Sequence, residues 1–142
     1  MDSGNWLVRE ACRKDCPAVL GLWRHAEAIP SSTDSLGELE RLVAEGRGLF
    51  LVAEADGRLV GSIIGGWDGW RGNMYRLAVA PGFRRRGIAR SLVAEVERRL
   101  RTQGARRITA LIVGAEEEAR AFWEAVGYGH DVRILRHVKT LD

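Results

Sequence analysis

Met74-Tyr-Arg-Leu-Ala-Val-Ala-Pro-Gly-Phe-Arg-Arg-Arg-Gly-Ile-Ala-Arg90 is the stretch that decides how this chain is read. An apolar, strand-like run ends at Pro81-Gly82. Arg84, Arg85, Arg86 and Gly87 follow, and a strongly periodic helical pattern begins at once. Strand, turn, basic-glycine loop and helix start are the parts of a pyrophosphate site. The first N–H groups of a helix have no intrahelical acceptor, and the helix dipole adds partial positive charge there. Gly87 removes a Cβ from the ligand's approach, and the arginines offer planar paired donors to phosphate oxygens.

Working outward from this stretch, the remaining segments alternate between the two hydrophobic periods. Trp6 to Glu10 reads as a first strand. Asp15, with Pro17 behind it, is an expected N-cap for a helix running to about Ala28 on Val19, Leu20, Leu22, Trp23 and Ala26. A loop over 29–35 leads to a second helix on Leu36, Leu39, Leu42 and Val43, closed by Gly46 and Gly48. Three strands in a meander come next: Leu49 to Ala55, Arg58 to Gly66 across the Asp56-Gly57 turn, and Asn73 to Ala80 after the turn 67–72. A helix from Gly87 to about Thr102 buries Leu92, Val93, Val96 and Leu100. A buried strand is expected over Arg106 to Val113, a helix over Glu116 to Val126, and one or two strands between Tyr128 and Leu141.

The order β-α-α-β-β-β-α-β-α-β-β predicts an α+β fold. Its sheet is mixed and mostly antiparallel, with 73–80 and 106–113 parallel across a right-handed helical crossover. With 142 residues, 46% hydrophobic and 29% charged, the chain is expected to form a single domain, residues 1–142, with an ordinary core. The net charge of +3 is modest and concentrated at 84–86 and 98–101. That concentration favours a phosphate-bearing ligand over a broad nucleic-acid surface. The N-terminal residues carry no apolar signal core, and no run approaches a membrane span. Cys12 and Cys16 make no secreted disulfide framework and lack the partners of a zinc site, so the expectation is a cytoplasmic protein without a metal.

Neither G-x-x-x-x-G-K-[ST] nor G-x-G-x-x-G occurs between a strand and a helix. The motif present, Val79-x-Pro81-x-x-Arg84-Arg85-Arg86-Gly87-Ile88-Ala89, resembles the acyl-CoA loop Q/R-x-x-G-x-G/A of the GCN5-related N-acetyltransferases (GNAT). Arg84, Gly87 and Ala89 stand at its three defined positions. Further along, Ala119-x-x-Phe122-Trp123-x-x-x-Gly127-Tyr128 is similar to the family's A-x-x-x-Y-x-x-x-G-F. The segment between Val52 and Gly72 looks closest to small stand-alone bacterial members of the YpeA type. The element order fits the same fold, with helices on both faces of the sheet and a splayed parallel strand pair.

The resemblance implies acetyl-CoA as acyl donor, an amine-bearing acceptor and direct transfer in a ternary complex. It implies CoA binding by Leu77, Ala78, Val79, Arg84, Arg85, Arg86, Gly87, Ile88, Ala89, Arg90 and Trp123. The Val79 backbone N–H would meet the oxyanion. Tyr75 and Asp68 are candidates for handling the amine proton, each with a packing or turn-forming role as the plainer reading. Trp123 departs from the family pattern, because an indole N–H donates but is no acid at neutral pH. Tyr128 is the nearby alternative. Glu116 also departs, standing where many members have Asn.

His25 and Glu27 are further candidates near the end of the first helix, before a loop that lines the acceptor cleft in the family, with a surface or helix-capping role as the plainer reading. His130 and His137 fall on the expected terminal strands with no identifiable partner in the sequence, and Trp67 and Trp70 flank a tight turn. Homodimerisation is common in the family. Two other classes stay open: an acyl-CoA-binding module that no longer catalyses, and a nucleic-acid-binding domain using the arginine clusters.

Overall fold

The computed structural model describes residues 6–26, 31–112 and 117–141. Strands β1 (Trp6–Glu10), β2 (Phe50–Ala55), β3 (Arg58–Trp67), β4 (Gly72–Val79) and β5 (Ile108–Ala110) form one sheet in that spatial order. The first three pairings are antiparallel and β4–β5 is parallel. Helices α1 (Cys16–His25) and α2 (Leu36–Glu45) precede β2, while α3 (Ile88–Gln103) makes the crossover from β4 to β5.

Alternation along the strands divides the sheet between the two helical layers. Phe50, Val52 and Ala78 pack with Cys16, Val19, Leu22, Trp23 and Leu39 of α1 and α2. The buried Ser62 hydroxyl belongs to the same face and accepts a hydrogen bond from Trp23 Nε1 at 2.9 Å. The other face takes α3 at close range because its strands carry glycines. A Cβ at Gly61 would lie 3.1 Å from Ile88 and Leu92, one at Gly65 2.9 Å from Val96, and one at Gly72 2.6 Å from Leu100. Ile88, Leu92, Val93, Val96 and Leu100 are accordingly buried.

Local capping explains the helix ends. The Ser35 side chain accepts from the Glu38 N–H at 3.2 Å, and Gly46 closes α2 in the left-handed region at φ 65°. Asp15, expected as the N-cap of α1, is itself in helical geometry, because a 3₁₀ turn over Arg13–Asp15 comes first. Its carboxylate turns back to the Cys12 N–H at 2.7 Å and to Arg9 at 2.8 and 2.9 Å. The Arg9 hydrogen bond, with further help from Cys12, holds that carboxylate at about 2, although partial burial opposes the shift.

Residues divide by contact into two compact units, Met1–Leu111 and Ile112–Asp142. The second holds α4 (Glu117–Ala125) and a C-terminal segment. Three expectations are corrected in these regions. β5 is a strand of three residues, half-buried or exposed, because only Gly72–Met74 of β4 pair with it. Trp6 to Glu10 forms as read, but the helix begun near Asp15 ends at His25. No strand forms between Tyr128 and Leu141 among the described residues: Val132, Ile134, Leu135 and Val138 are all exposed and have no ladder to join. Among the described residues, no helix is long and apolar enough to cross a membrane.

Candidate active site

The site is organised by the C-terminal end of β4. In the register of β3 with β4, Ser62 faces Ala78 and Ile64 faces Tyr75, so Arg76 and Leu77 together oppose Ile63. This is a β-bulge, and Arg76 adopts φ 57° within it, a conformation a non-glycine residue rarely takes. Its guanidinium lies 5.1 Å above the Trp23 ring and pairs with Asp34, both partners being mostly shielded from solvent. Ser62, Trp23, Arg76 and Asp34 therefore form a continuous polar chain from the sheet to the segment between α1 and α2. Sequence patterning gave no sign of it, since an arginine carries no mark of a bulge and Asp34 is 42 residues away.

Beyond the bulge, the Ala80 N–H bonds Val60 C=O at 2.8 Å and Val79 pairs with Gly61. The alternation of an antiparallel ladder then directs the Val79 N–H away from β3. The Arg84 Nε reaches the Val79 carbonyl at 3.3 Å. On that side of β4, the parallel register with β5 ends at Met74–Ala110, while β4 itself continues to Val79. The strand pair thus opens toward the end where α3 begins.

Pro81–Phe83 makes a short 3₁₀ turn after β4. Arg84 is extended, Arg85 stands at φ 64° and Gly87 at φ 92°. Gly87 is the N-cap of α3, and the Ser91 N–H to Gly87 C=O bond at 3.0 Å is the first of the helix. The N–H groups of Ile88, Ala89 and Arg90 therefore have no acceptor inside the helix. A Cβ at Gly87 would meet only the Trp6 ring at 3.6 Å, an ordinary contact, so the backbone angle is what requires glycine here. Leu77, Ala78, Val79 and residues 84–90 are thus gathered at one end of the sheet.

Other expected residues fall elsewhere. Asp68 sits in the β3–β4 turn, where Oδ1 accepts from the Trp70 N–H at 2.8 Å and the Arg71 N–H at 2.7 Å. Those two backbone bonds, Arg71 first, lower its pKa. β4 has eight residues, and at about 3.3 Å each its ends are roughly 23 Å apart. Asp68 lies beyond the far end and is not brought to Val79. Trp70 is 69% exposed with Arg71 stacked 4.1 Å above it. Both line an open cleft of about 460 Å³ with Trp67, Gln103, Arg106 and Arg107 at that same far end.

Tyr75 is adjacent to the bulge and partly exposed, its ring beside Gly66. In the second unit, Trp123 is buried, edge-on to Tyr128 at 5.0 Å and to Phe122 at 5.4 Å. The Tyr128 N–H closes the end of α4 on the Trp123 carbonyl at 2.9 Å. His25 Nδ1 contacts the Gly21 carbonyl at 3.0 Å, an ordinary helix-end arrangement. His130 and His137 are exposed. Glu27 and Glu116 lie outside the described residues. Among the described residues no three His, Cys, Asp or Glu side chains come together as a metal site, and Cys12 and Cys16 are free thiols.

A mixed sheet with helices on both faces, an opened parallel pair and a basic helix start define an acyltransferase-type α+β fold. The acetyltransferase (GNAT) family model matches residues 16–128, and the chain belongs to that family. It is 36% identical over 121 residues to acetyltransferase ECA0875 of Pectobacterium atrosepticum, covering 85% of this chain and 86% of the relative. The PaiA N-acetyltransferase of Thermoplasma acidophilum, solved in complex with coenzyme A, superposes with TM-score 0.79 at 18% identity, over 89% of this chain and 91% of that one. Ard1 of Thermoplasma volcanium gives 0.77 at 22% identity, over 87% and 82%. At such identities the two solved structures speak to the fold.

Proposed function

We propose that this protein is an acetyl-CoA-dependent N-acetyltransferase acting on a primary amine by direct attack in a ternary complex. The observation that carries the reading is the direction of the Val79 N–H. It faces the opened side of β4, at the strand end that leads into the basic loop and the start of α3. The pyrophosphate of CoA would lie on the N–H groups of Ile88, Ala89 and Arg90, with Arg84 and Arg85 beside it. The pantetheine arm would follow Leu77, Ala78 and Val79 into the opening, bringing the thioester carbonyl to the Val79 N–H.

The amine nitrogen attacks that carbonyl, the C–N bond forms, and the negative charge moves onto oxygen. A preorganised N–H donor there contributes about 3 kcal/mol to the transition state. Collapse breaks the C–S bond, and the sulfur takes a proton to leave as free CoA. A thiol with a pKa near 8.5 is a tolerable leaving group, so a strong acid is not required. Water supplies the proton, or, as the resemblance to the family implies, the Tyr128 hydroxyl. The proton of the attacking amine passes to solvent water, and Tyr75, beside the bulge, is the side chain assigned to orienting that water. Asp68 has no part in this scheme, because it stands at the other end of β4. The free thiols of Cys12 and Cys16 suit a reducing cytoplasm as the setting.

Thiol release from acetyl-CoA across a panel of primary amines tests the reading, together with the melting temperature in the presence of acetyl-CoA. Turnover with at least one amine and a rise in melting temperature are expected. An unchanged melting temperature at millimolar acetyl-CoA overturns it. One observation favours a second reading, an acyl-CoA-binding module without catalysis: the position where the family carries an acidic tyrosine hydroxyl holds the buried indole of Trp123. Binding without thiol release, for every amine tried, would select that reading.

A further inference from the structure

Phe83 carries two guanidiniums. The Arg86 Cζ lies 4.9 Å from the centroid of its ring, and the Arg58 Cζ 5.2 Å from the same centroid. Arg86 belongs to the basic loop. Arg58 is distant in sequence and is the first residue of β3, immediately after the Asp56–Gly57 turn, whose residues take φ 52° and 73°. That tight hairpin, with Arg58 paired to Ala55, fixes where the Arg58 side chain starts. Phe83 is fixed as well: it ends the 3₁₀ turn, its N–H bonded to the Ala80 carbonyl at 2.8 Å.

Several arginines elsewhere on this surface are matched with carboxylates. Arg98 and Arg99 share Glu95, Arg99 also reaches Glu10, and Arg9 holds Asp15 and Glu54. Arg58 and Arg86 make no ion pair among the described residues, and both are exposed. Two like charges stacked on one neutral ring repel each other, and each retains its planar N–H donors for an incoming group. An anion of two charges relieves the repulsion and uses both forks.

We propose that Arg58 and Arg86, oriented by Phe83, form a separate site for the ribose 3′-phosphate of CoA. This rests on the reading of the helix start as the pyrophosphate site. The pyrophosphate has its donors in the N–H groups of Ile88, Ala89 and Arg90, and the Arg84 Nε is occupied by the Val79 carbonyl. The guanidinium pair on Phe83 is left for a further phosphate. CoA carries one, a monoester with a second pKa near about 6 and hence close to a dianion at neutral pH. In this assignment Arg58 is a binding residue supplied by a hairpin outside the loop motif, and Phe83 is a positioning residue.

The test compares CoA with 3′-dephospho-CoA, which keeps the pyrophosphate and lacks only the 3′-phosphate, by calorimetric titration of the full chain. The wild type should prefer CoA by about tenfold or more. R58A should abolish most of that preference by weakening CoA while leaving the affinity for 3′-dephospho-CoA as it was. F83L should act in the same direction. R58A is a substitution at an exposed side chain, and equal melting temperatures for the two apoproteins establish that it folds. If the wild type binds both ligands equally, or if R58A weakens both alike, the assignment is overturned. If the wild type binds neither, the pyrophosphate reading itself fails and this one falls with it.

Discussion

The two ends of β4 are alike in charge and opposite in what the backbone offers. At the Val79 end stand Arg84, Arg85 and Arg86; at the Gly72 end, Arg71, Arg106 and Arg107 line the cleft beside Trp70. Helix α3 runs from the first end to the second, so the loop meets its N-terminus and the cleft meets its C-cap at Gly104. Free N–H groups and a positive dipole end accompany one set of arginines; carbonyl groups and a negative dipole end accompany the other. The Gly104 N–H is spent on the Arg101 and Leu100 carbonyls. The lesson is that an arginine triplet does not make a phosphate site. Backbone donors decide which end can hold a diphosphate, and the arginines at the other end counter a helix terminus.

Charge reversal at each end is the most direct attempt to break this comparison, and the largest effect is expected from it. R84E/R86E should weaken CoA binding by about a hundredfold, the loss of two charge-assisted contacts at about 1.4 kcal/mol each. R106E/R107E should change it by no more than about twofold, since exposed charges this far away are screened. The dissociation constants of the two double variants, measured at one ionic strength, give the answer. Comparable losses would mean that CoA is held by diffuse positive charge.

Gly87 and Gly104 sharpen the same contrast through the backbone. Both lie in the left-handed region, at φ 92° and 111°, and an added Cβ would have room at each. G87A and G104A should therefore cost similar stability, about 1 kcal/mol from the conformation alone. Their effects on ligand should differ. G87A shifts the N–H groups that the proposed complex assigns to the pyrophosphate and is expected to weaken CoA about tenfold, whereas G104A should leave CoA binding unchanged. Paired melting curves and titrations separate the two quantities.

The loop was legible in the sequence because each of its parts is local. An apolar run, Pro81, Arg84, Gly87 and the period of α3 follow one another within a few residues, and each has its own physical signature. Elements that depend on distant pairing were not legible. Arg76 enters a bulge because Ile63 cannot match two residues of β4 at once. Asp15 stands at the N-cap position of α1 as expected, but its side chain makes no capping bond there, because Arg9 and the Cys12 N–H hold its carboxylate. Arg58 gave no sign of a role, since its place on Phe83 is set by the β2–β3 hairpin. Arg106 to Val113 has the composition of a buried strand, yet β5 stops at Ala110, where the partner strand opens. The exposed apolar residues of 132–138 show the limit of periodicity: it marks a strand's preference, and a ladder must be available to meet it.

A smaller effect tests whether the Gly72 end serves packing. A Cβ at Gly72 would stand 2.6 Å from Leu100 Cδ1, which is the far end of a flexible side chain. G72A should destabilise by about 1 kcal/mol as Leu100 shifts, and the truncation L100A in the same background should remove the clash. The double variant is then expected to be more stable than the sum of the two single losses predicts, because the losses share one contact. CoA affinity should not follow these changes in stability. If it does, the two ends are coupled through α3, and the comparison drawn above fails.

The smallest effect is expected at Asp68, and it asks whether the turn end takes part in the chemistry at all. Its carboxylate accepts from the Arg71 and Trp70 N–H groups, which depress its pKa below the ordinary 3.8. A depressed folded pKa favours the folded state only while the group is ionised. Its contribution is complete above the ordinary carboxylate range and disappears as the pH falls through the folded value. D68N keeps an oxygen acceptor and loses the charge. At pH 7 it should melt slightly below the wild type, and the difference should close as the pH is lowered through the carboxylate range. The pH profile of amine acetylation should be the same for both, because Asp68 is at the wrong end of β4 to receive the amine proton. A displaced acidic limb in D68N would return Asp68 to the reaction and require the hairpin turn to approach Val79, against the register of β4.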